Sequence, residues 1–263
     1  MGTSYSIVVE LPEKQKVDVD FLKKEIQEIF KFINFSYSLY LKESRITQLN
    51  HNQTTYLTRK EIELYQIAQE LCNKTNAYFF PFKKEILSIV EQKKIQLRNI
   101  CNAFTIIKVE EEHYIIKKKY PWIQFDFNAI AKGYAVDLVK KFLESKNLRK
   151  YLIEIGGEIC LGDAPSGTLG WKVALESPSS DLSHKQIASV RILKNICMAS
   201  SGNYLQVHIF DPYRKEYPKK NQIVIVYGPS CTLADAYATY IYVQSNFGFD
   251  SEEYKVEILK ESY

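Results

Sequence analysis

The chain has 263 residues, 46% of them apolar and 13% aromatic, so it can bury a sizeable core and does not fall in the disordered class. Its 35 Lys and Arg stand against 31 Asp and Glu, a formal net charge of +4 spread along the chain rather than gathered into a basic arm. That balance gives no reason to expect a nucleic-acid partner; it tolerates an anionic ligand, and solvated lysine-rich helices are its simpler explanation.

In chain order, residues 4–10 alternate as a strand, and residues 19–33 place Leu22, Ile26, Ile29, Phe30 and Ile33 at helical spacing. A second helix starts at Thr58, which is spaced from Glu61 as a capping box ahead of the apolar stripe Ile62, Tyr65, Ala68 and Leu71. Residues 103–126 alternate as two or three strands that turn at Glu110-Glu-Glu112. The helix over 129–145 is the best marked, with Ile130, Tyr134, Leu138, Val139 and Phe142 on one face and Gly133 inside it at some cost to helix stability. Short strands follow at 151–155, 171–176, 188–193 and 223–227, divided by Gly and Ser turn signals, and a last helix begins near Thr232. The pattern predicts an α+β fold with mainly antiparallel pairing. With no repeat, low-complexity tract or linker, 1–263 reads as a single domain.

The five cysteines, Cys72, Cys101, Cys160, Cys197 and Cys231, lie far apart, are odd in number and form no CxxC pair. Neither zinc nor a disulfide framework is expected, but buried free thiols compatible with a reducing compartment. No apolar run has the length of a transmembrane helix, and the opening MGTSYSIVVE lacks a charged region followed by an apolar stretch, so no membrane span or export signal is expected.

Four segments hold residues suited to chemistry, each with a plainer alternative. Asp126-Phe-Asn-Ala-Ile-Ala-Lys-Gly-Tyr134 joins a strand to a helix and offers an acid, open main-chain groups and the cation Lys132 near a helix N-terminus, which suits phosphate. An N-capped helix with one surface lysine fits the same residues. Gly156-Gly-Glu158 is a simple hairpin turn or a bare backbone stretch on which a phosphate or flat ring can lie. Asp235 and Thr239, four apart on a helix, put two hard oxygen donors on one face, as suits magnesium; the alternative is a first-turn acid with a buried hydroxyl. His208, near the end of an expected strand before Asp211-Pro212, is a proton carrier, a phosphate contact or a satisfied structural histidine.

Read together and in order, these segments resemble the FAD:protein FMN transferase family, the ApbE flavin transferases, over nearly the whole chain. Met1-Gly-Thr resembles the family's opening strand, and Ser38-Leu-Tyr with Ser44-Arg-Ile-Thr-Gln-Leu-Asn50 its S-x-Y and S-x-I-x-x-L-N patterns. Asp126 to Tyr134 with Asp137, Gly156-Gly-Glu158, Trp171, Ser200-Ser-Gly-Asn-Tyr204, His208-Ile-Phe-Asp-Pro212 and Ala234-Asp-Ala-Tyr-Ala-Thr239 resemble its remaining motifs.

The resemblance implies a T-fold-related α+β domain that holds FAD with Mg2+ at its pyrophosphate. Metal ligands would be the main-chain carbonyl of Ala129 and the side chains of Asp235 and Thr239. Met1, Tyr78, Phe79, Phe80, Asp126, Lys132 and Ile209 would contact the flavin nucleotide. Asn50 resembles the asparagine that helps separate transfer from hydrolysis, and His208 is the expected proton acceptor. The implied reaction moves FMN from FAD to a Thr or Ser hydroxyl of an acceptor flavoprotein carrying a D-x-x-[ST]-G-A-[ST]-like site, with release of AMP. The alternatives are a magnesium-dependent FAD pyrophosphatase giving FMN and AMP, or a non-enzymatic FAD-binding protein.

Several positions depart from the pattern. Ala77-Tyr-Phe-Phe-Pro81 stands where the family commonly shows G-x-F-D-P, Asn128 where glycine is frequent, and Arg214-Lys215 where T-G is usual, a pair that could hold phosphate instead. The segment between Tyr204 and His208 is shorter than usual. Localisation is expected to be cytoplasmic as the sequence stands, or the cell envelope if a leader has been trimmed.

Overall fold

A computed structural model describes residues 2–12, 16–53, 56–177, 187–203, 207–244 and 251–260; Met1 and Tyr204 lie outside these. The first half runs β1 (Tyr5–Val9), α1 (Val19–Tyr37), α2 (Arg45–Asn50), β2 (Leu57–Thr58), α3 (Arg59–Lys74), α4 (Ile86–Gln92), a 3-10 helix (Leu97–Asn102), β3 (Phe104–Glu110) and β4 (His113–Lys118). The second half runs α5 (Ala131–Ser145), β5 (Tyr151–Ile155), β6 (Glu158–Leu161), β7 (Trp171–Glu176), β8 (Ile187–Leu193), β9 (Ile196–Ser201), β10 (Gln222–Gly228), α6 (Cys231–Gln244) and β11 (Lys255–Lys260). Among the described residues all strand pairs are antiparallel, giving the expected α+β fold. Among the described residues no helix is long and apolar enough to cross a membrane. The chain divides into two compact units.

The first unit comprises residues 30–131 and 210–216. Helix α3 starts where the sequence signals it: the Thr58 hydroxyl accepts the Glu61 N–H at 3.3 Å, and the Glu61 carboxylate accepts the Thr58 N–H at 2.7 Å. Its core is aromatic. Tyr65 meets Phe127 and Phe125 edge-on at 4.7 and 5.2 Å between centroids, and Phe104 meets Phe125 at 5.0 Å. Phe125 and Phe127 are thus both buried, with Asp126 between them on the opposite side of extended chain. The sheet β2-β4-β3 completes this unit.

The second unit comprises residues 2–29, 132–209 and 217–263 and holds a six-stranded sheet in the order β1-β5-β6-β9-β10-β11. Strand β10 explains why its sequence reads as an unbroken apolar run. Ile223, Ile225 and Tyr227 join a cluster with Val173 and Leu175 of the β7–β8 ribbon, while Val224 and Val226, on the other face, are fully buried where α6 packs. The Gly156-Gly157 turn between β5 and β6 is a hairpin, with Ile155 opposite Glu158 and φ of 62° and 97° at the two glycines. Two positive φ values in a two-residue loop need glycine or a similarly permissive residue.

The cysteine expectation is corrected. Cys72 is bonded to Cys101, joining α3 to the 3-10 helix, and Cys160 to Cys197, joining facing positions of β6 and β9; only Cys231 is a buried free thiol. Partners 29 and 37 residues apart are brought together by helix docking and strand register, which no local spacing signals. Non-reducing peptide mapping of alkylated protein is expected to recover the 72–101 and 160–197 linked pairs, with Cys231 alkylated only after denaturation. Recovery of five alkylated cysteines without a reductant would refute both links.

Candidate active site

Helices α5 and α6 of the second unit cap one another. The Asp137 carboxylate, on α5, accepts the N–H groups of Cys231 and Thr232 at 2.9 Å each and the hydroxyls of Ser230 and Thr232 at 2.7 and 2.6 Å. These are donors of the first turn of α6, which has no intrahelical acceptors for them. In return Asp235, on α6, accepts the Gly133 N–H at the start of α5 at 3.1 Å. A Cβ at position 133 would stand 2.4 Å from the Cys231 carbonyl oxygen, so glycine is required for the two helix ends to meet. The glycine that weakens the helix in isolation is therefore what lets it dock.

Around this junction lies a buried charge cluster. Lys132, next to Gly133, donates to Glu158 Oε1 at 2.5 Å, and Glu158 is 1% exposed. Its other oxygen, Oε2, is buried without a hydrogen-bond partner. Burial raises the Glu158 pKa, and the charge of Asp235 adds to it, with Lys132 opposing. Asp235 is raised by burial against the pull of Lys132 and the Gly133 N–H. Burial works to lower the Lys132 pKa, but Asp235 and Glu158 outweigh it and hold the ammonium protonated. Burial thus favours a proton shared on this pair of acids, and a cation brought to the cluster would favour their ionised forms instead.

One turn beyond Asp235, the Thr239 hydroxyl stands 3.1 Å from that of Ser201 on β9. Asp235 and Thr239 share one side of α6 as the spacing predicts. Among the described residues no three His, Cys, Asp or Glu side chains converge as a metal-binding set. A cation here would have to use the hard oxygen set of carboxylate and hydroxyl, which fits magnesium and not zinc.

The first unit holds the other expected residues. Asn50 is 5% exposed and its amide is engaged at both ends: Nδ2 donates to the Phe125 carbonyl at 2.9 Å and Oδ1 accepts the Phe125 N–H at 2.7 Å. Lys118 adds a second tie, donating to the carbonyls of Leu49 and Ile123 at 2.7 and 2.9 Å. Together they hold the end of α2 to the strand that leads into Asp126. Asp126 accepts the Asn128 N–H at 3.0 Å, and burial raises its pKa, partly offset by that bond and by Lys83. Ala129 lies in the turn before α5, where Phe127 accepts the N–H groups of Ile130 and Ala131. Tyr78 and Phe80 are half-buried, and the Tyr78 ring lies 4.5 Å from that of Tyr213.

The structure bears on four further expectations. Phe79 is 1% exposed and packs in the core, so its side chain presents no surface to a ligand. Ile209 is likewise buried. His208 is not on a strand: it is exposed in irregular chain, where the Asn203 side chain accepts the N–H groups of His208 and Ile209 at 3.1 and 2.9 Å. Asn203, rather than sheet pairing, shapes this segment. Lys215 pairs with Glu91, and Arg214 lies 3.8 Å from Asp211. Met1 falls outside the described residues.

Sequence reasoning missed the roles of Asp137 and Glu158. The signal for Asp137 was available: a carboxylate placed among Tyr134, Ala135, Leu138 and Val139 on the apolar stripe of a helix has to find buried donors.

The fold and this cluster define an α+β protein with antiparallel sheets and an acid–lysine–acid centre at two docked helix ends. A model of the ApbE family matches residues 1–248, and the chain belongs to that family. It is 26% identical to the FAD:protein FMN transferase of Vibrio cholerae, covering 91% of this chain and 78% of that one. It is 25% identical to the FAD:protein FMN transferase of Haemophilus influenzae, over 92% and 78% of the two chains. The solved flavin transferase ApbE from Vibrio cholerae has the same fold, with a TM-score of 0.74 at 24% identity over 92% of this chain and 84% of that one.

Breaking the mutual cap is expected to be costly. Asp137→Ala leaves the buried N–H groups of Cys231 and Thr232 without acceptors and should lower stability by about 2–4 kcal/mol. Gly133→Ala should cost a similar amount, about 1–3 kcal/mol, by forcing the helices apart. Urea unfolding checks both; a loss under about 0.5 kcal/mol for either would show that the helix ends are not held this way.

Proposed function

We propose that this chain is an FAD:protein FMN transferase that works with magnesium. The observation that carries the reading is the buried carboxylate–ammonium–carboxylate cluster beside the Asp235–Thr239 oxygen pair, in a chain of the ApbE family whose relatives bear that activity in their names. Within the second unit, Asp235 and Thr239 would hold the cation. When bound, magnesium offsets charge that builds on the phosphate oxygens during transfer.

The remaining tasks fall to the chain's own groups. Lys132, kept protonated by its two carboxylates, faces an anionic pyrophosphate and steadies the oxygens around the reacting phosphorus. Its ammonium cannot act as a base in that state. An acceptor Thr or Ser hydroxyl attacks the FMN-side phosphorus of FAD, the bond to the AMP phosphate oxygen breaks, and AMP leaves. His208, exposed and held by Asn203 through its main chain, takes the hydroxyl proton. Taken by itself, the first unit has Asp126 and the half-buried rings of Tyr78 and Phe80 as groups suited to flavin nucleotide contact. Asn50 acts indirectly, by fixing the backbone ahead of Asp126.

The acceptor is a flavoprotein with a D-x-x-[ST]-G-A-[ST]-like site. Two disulfides favour the cell envelope over the cytoplasm as the place of work.

Incubation with FAD, magnesium and such an acceptor, followed by mass spectrometry, is the test. The transferase reading expects an FMN-sized mass increase on the acceptor. Free FMN and AMP without an acceptor would instead establish a pyrophosphatase, and unchanged FAD a binding protein. Asp235→Asn, which keeps an oxygen for the Gly133 N–H, should lower magnesium-dependent turnover on the order of 100-fold. His208→Asn should slow transfer by about 10–100-fold while FAD affinity changes little, and unaltered turnover would remove it from proton transfer.

A further inference from the structure

Glu158 is a buried acid whose two oxygens are treated differently. One is engaged at 2.5 Å by the Lys132 ammonium; the other, Oε2, is buried and has no partner. The side chain is 2% exposed, so ordinary solvation does not satisfy that oxygen. A carboxylate oxygen left bare inside a protein costs free energy unless a donor arrives to meet it. The local chain is built to hold it there. Glu158 opens β6 directly after the Gly156-Gly157 turn and pairs with Ile155, and a Cβ at Gly156 would come within 3.2 Å of Lys132 Cδ and 2.7 Å of the Thr3 hydroxyl. The turn therefore leaves room for the lysine side chain that reaches Glu158.

We infer that Glu158 is a positioning residue for this centre: Oε1 fixes the Lys132 ammonium, and Oε2 accepts a hydrogen bond from water that enters with the divalent cation. The acid thereby ties the lysine and the cation's surroundings to one rigid strand end. This inference rests on the magnesium-dependent reading of the same centre, and it assigns Glu158 a task that the Asp235–Thr239 pair does not perform.

The test uses Glu158→Gln, which keeps the side-chain volume, removes the charge and weakens the hold on Lys132. Two readings besides turnover are taken on the full chain. The first is the affinity for Mg2+ alone by titration calorimetry; the second is the rate at which Lys132 is acetylated by an amine-selective reagent, followed by peptide mass spectrometry. The Lys132 side chain is 34% exposed, so a small reagent can reach it. In E158Q the affinity for Mg2+ is expected to fall by about tenfold and acetylation of Lys132 to speed up by about tenfold, with little change in melting temperature. Either quantity staying at the wild-type level in folded E158Q overturns the proposal, as does a wild-type protein that binds no Mg2+. Should E158Q fail to fold, Glu158→Asp keeps the charge but shortens the reach; Lys132 is expected to react faster there too, and an unchanged rate overturns the proposal. If both readings shift while the wild-type protein transfers no FMN, the positioning role stands and the transferase reading fails.

Discussion

Helices α5 and α6 each supply the carboxylate that closes the other's N-terminus, and Lys132 and Asp235 of the candidate centre take their places from that arrangement. A helix end carries unsatisfied N–H groups and a partial positive charge, so a buried end needs acceptors to meet it, and a carboxylate serves both needs. Here the acids are Asp137 and Asp235, each borrowed from the neighbouring helix. The exchange needs close approach, which Gly133 permits. Lys132 then has to sit at the mouth of the junction, because its neighbour is locked against the backbone of Cys231 and Thr232.

The two caps differ in what they leave over. Asp137 receives four hydrogen bonds and is a satisfied structural acid. Asp235 receives one main-chain bond from Gly133 and interacts electrostatically with Lys132, so its carboxylate has capacity that the fold does not use. The same geometric device therefore yields one residue that holds the helices together and another that is available for chemistry. This division explains why a centre with charges buried among helix ends and sheet can be rigid without being inert.

Much of this fold can be read from the residues because its local signals agree with its packing. The strands at Tyr151–Ile155 and Trp171–Glu176 and the capping box at Thr58 appear where alternation and side-chain spacing put them. The elements that escape reading are those whose pattern is set by partners far away. Helices α2 and α4 have six and seven residues, too few for a periodic stripe to stand out. Strand β9, Ile-Cys-Met-Ala-Ser-Ser, is rich in small residues because α6 lies against it. At the centre, the Asp235–Thr239 pair is legible, being a property of one helix. The Lys132–Glu158 contact and the Asp137 cap are not, since they join residues 26 and more than 90 apart. Asn50 is legible as a motif residue but not as a backbone clamp, since its partner Phe125 is 75 residues away.

The departures from the family pattern in the first unit have a shared physical logic. Ala77 and Lys215 occupy positions where the family pattern carries glycine, and both have left-handed backbones, with φ of 67° and 58°. A side chain in that conformation costs about 1–2 kcal/mol. The surroundings hold each turn regardless: the Ala77 N–H donates to Cys72 at 2.7 Å, and the Lys215 N–H donates to Asp211 at 2.8 Å. The Asp211 carboxylate accepts the N–H groups of Tyr213 and Arg214 at 2.8 and 3.0 Å. The Tyr213 hydroxyl then reaches the Asn76 carbonyl at 2.5 Å, so each strained turn braces the other and the Tyr78 and Tyr213 rings are brought together. Where the family pattern places an aspartate, this chain has Phe80, edge-on to Phe82 at 5.3 Å. The turn that loses a carboxylate gains ring surface, and Asp126, whose N–H donates to the Pro81 carbonyl, is left with Lys83 as the polar group beside it.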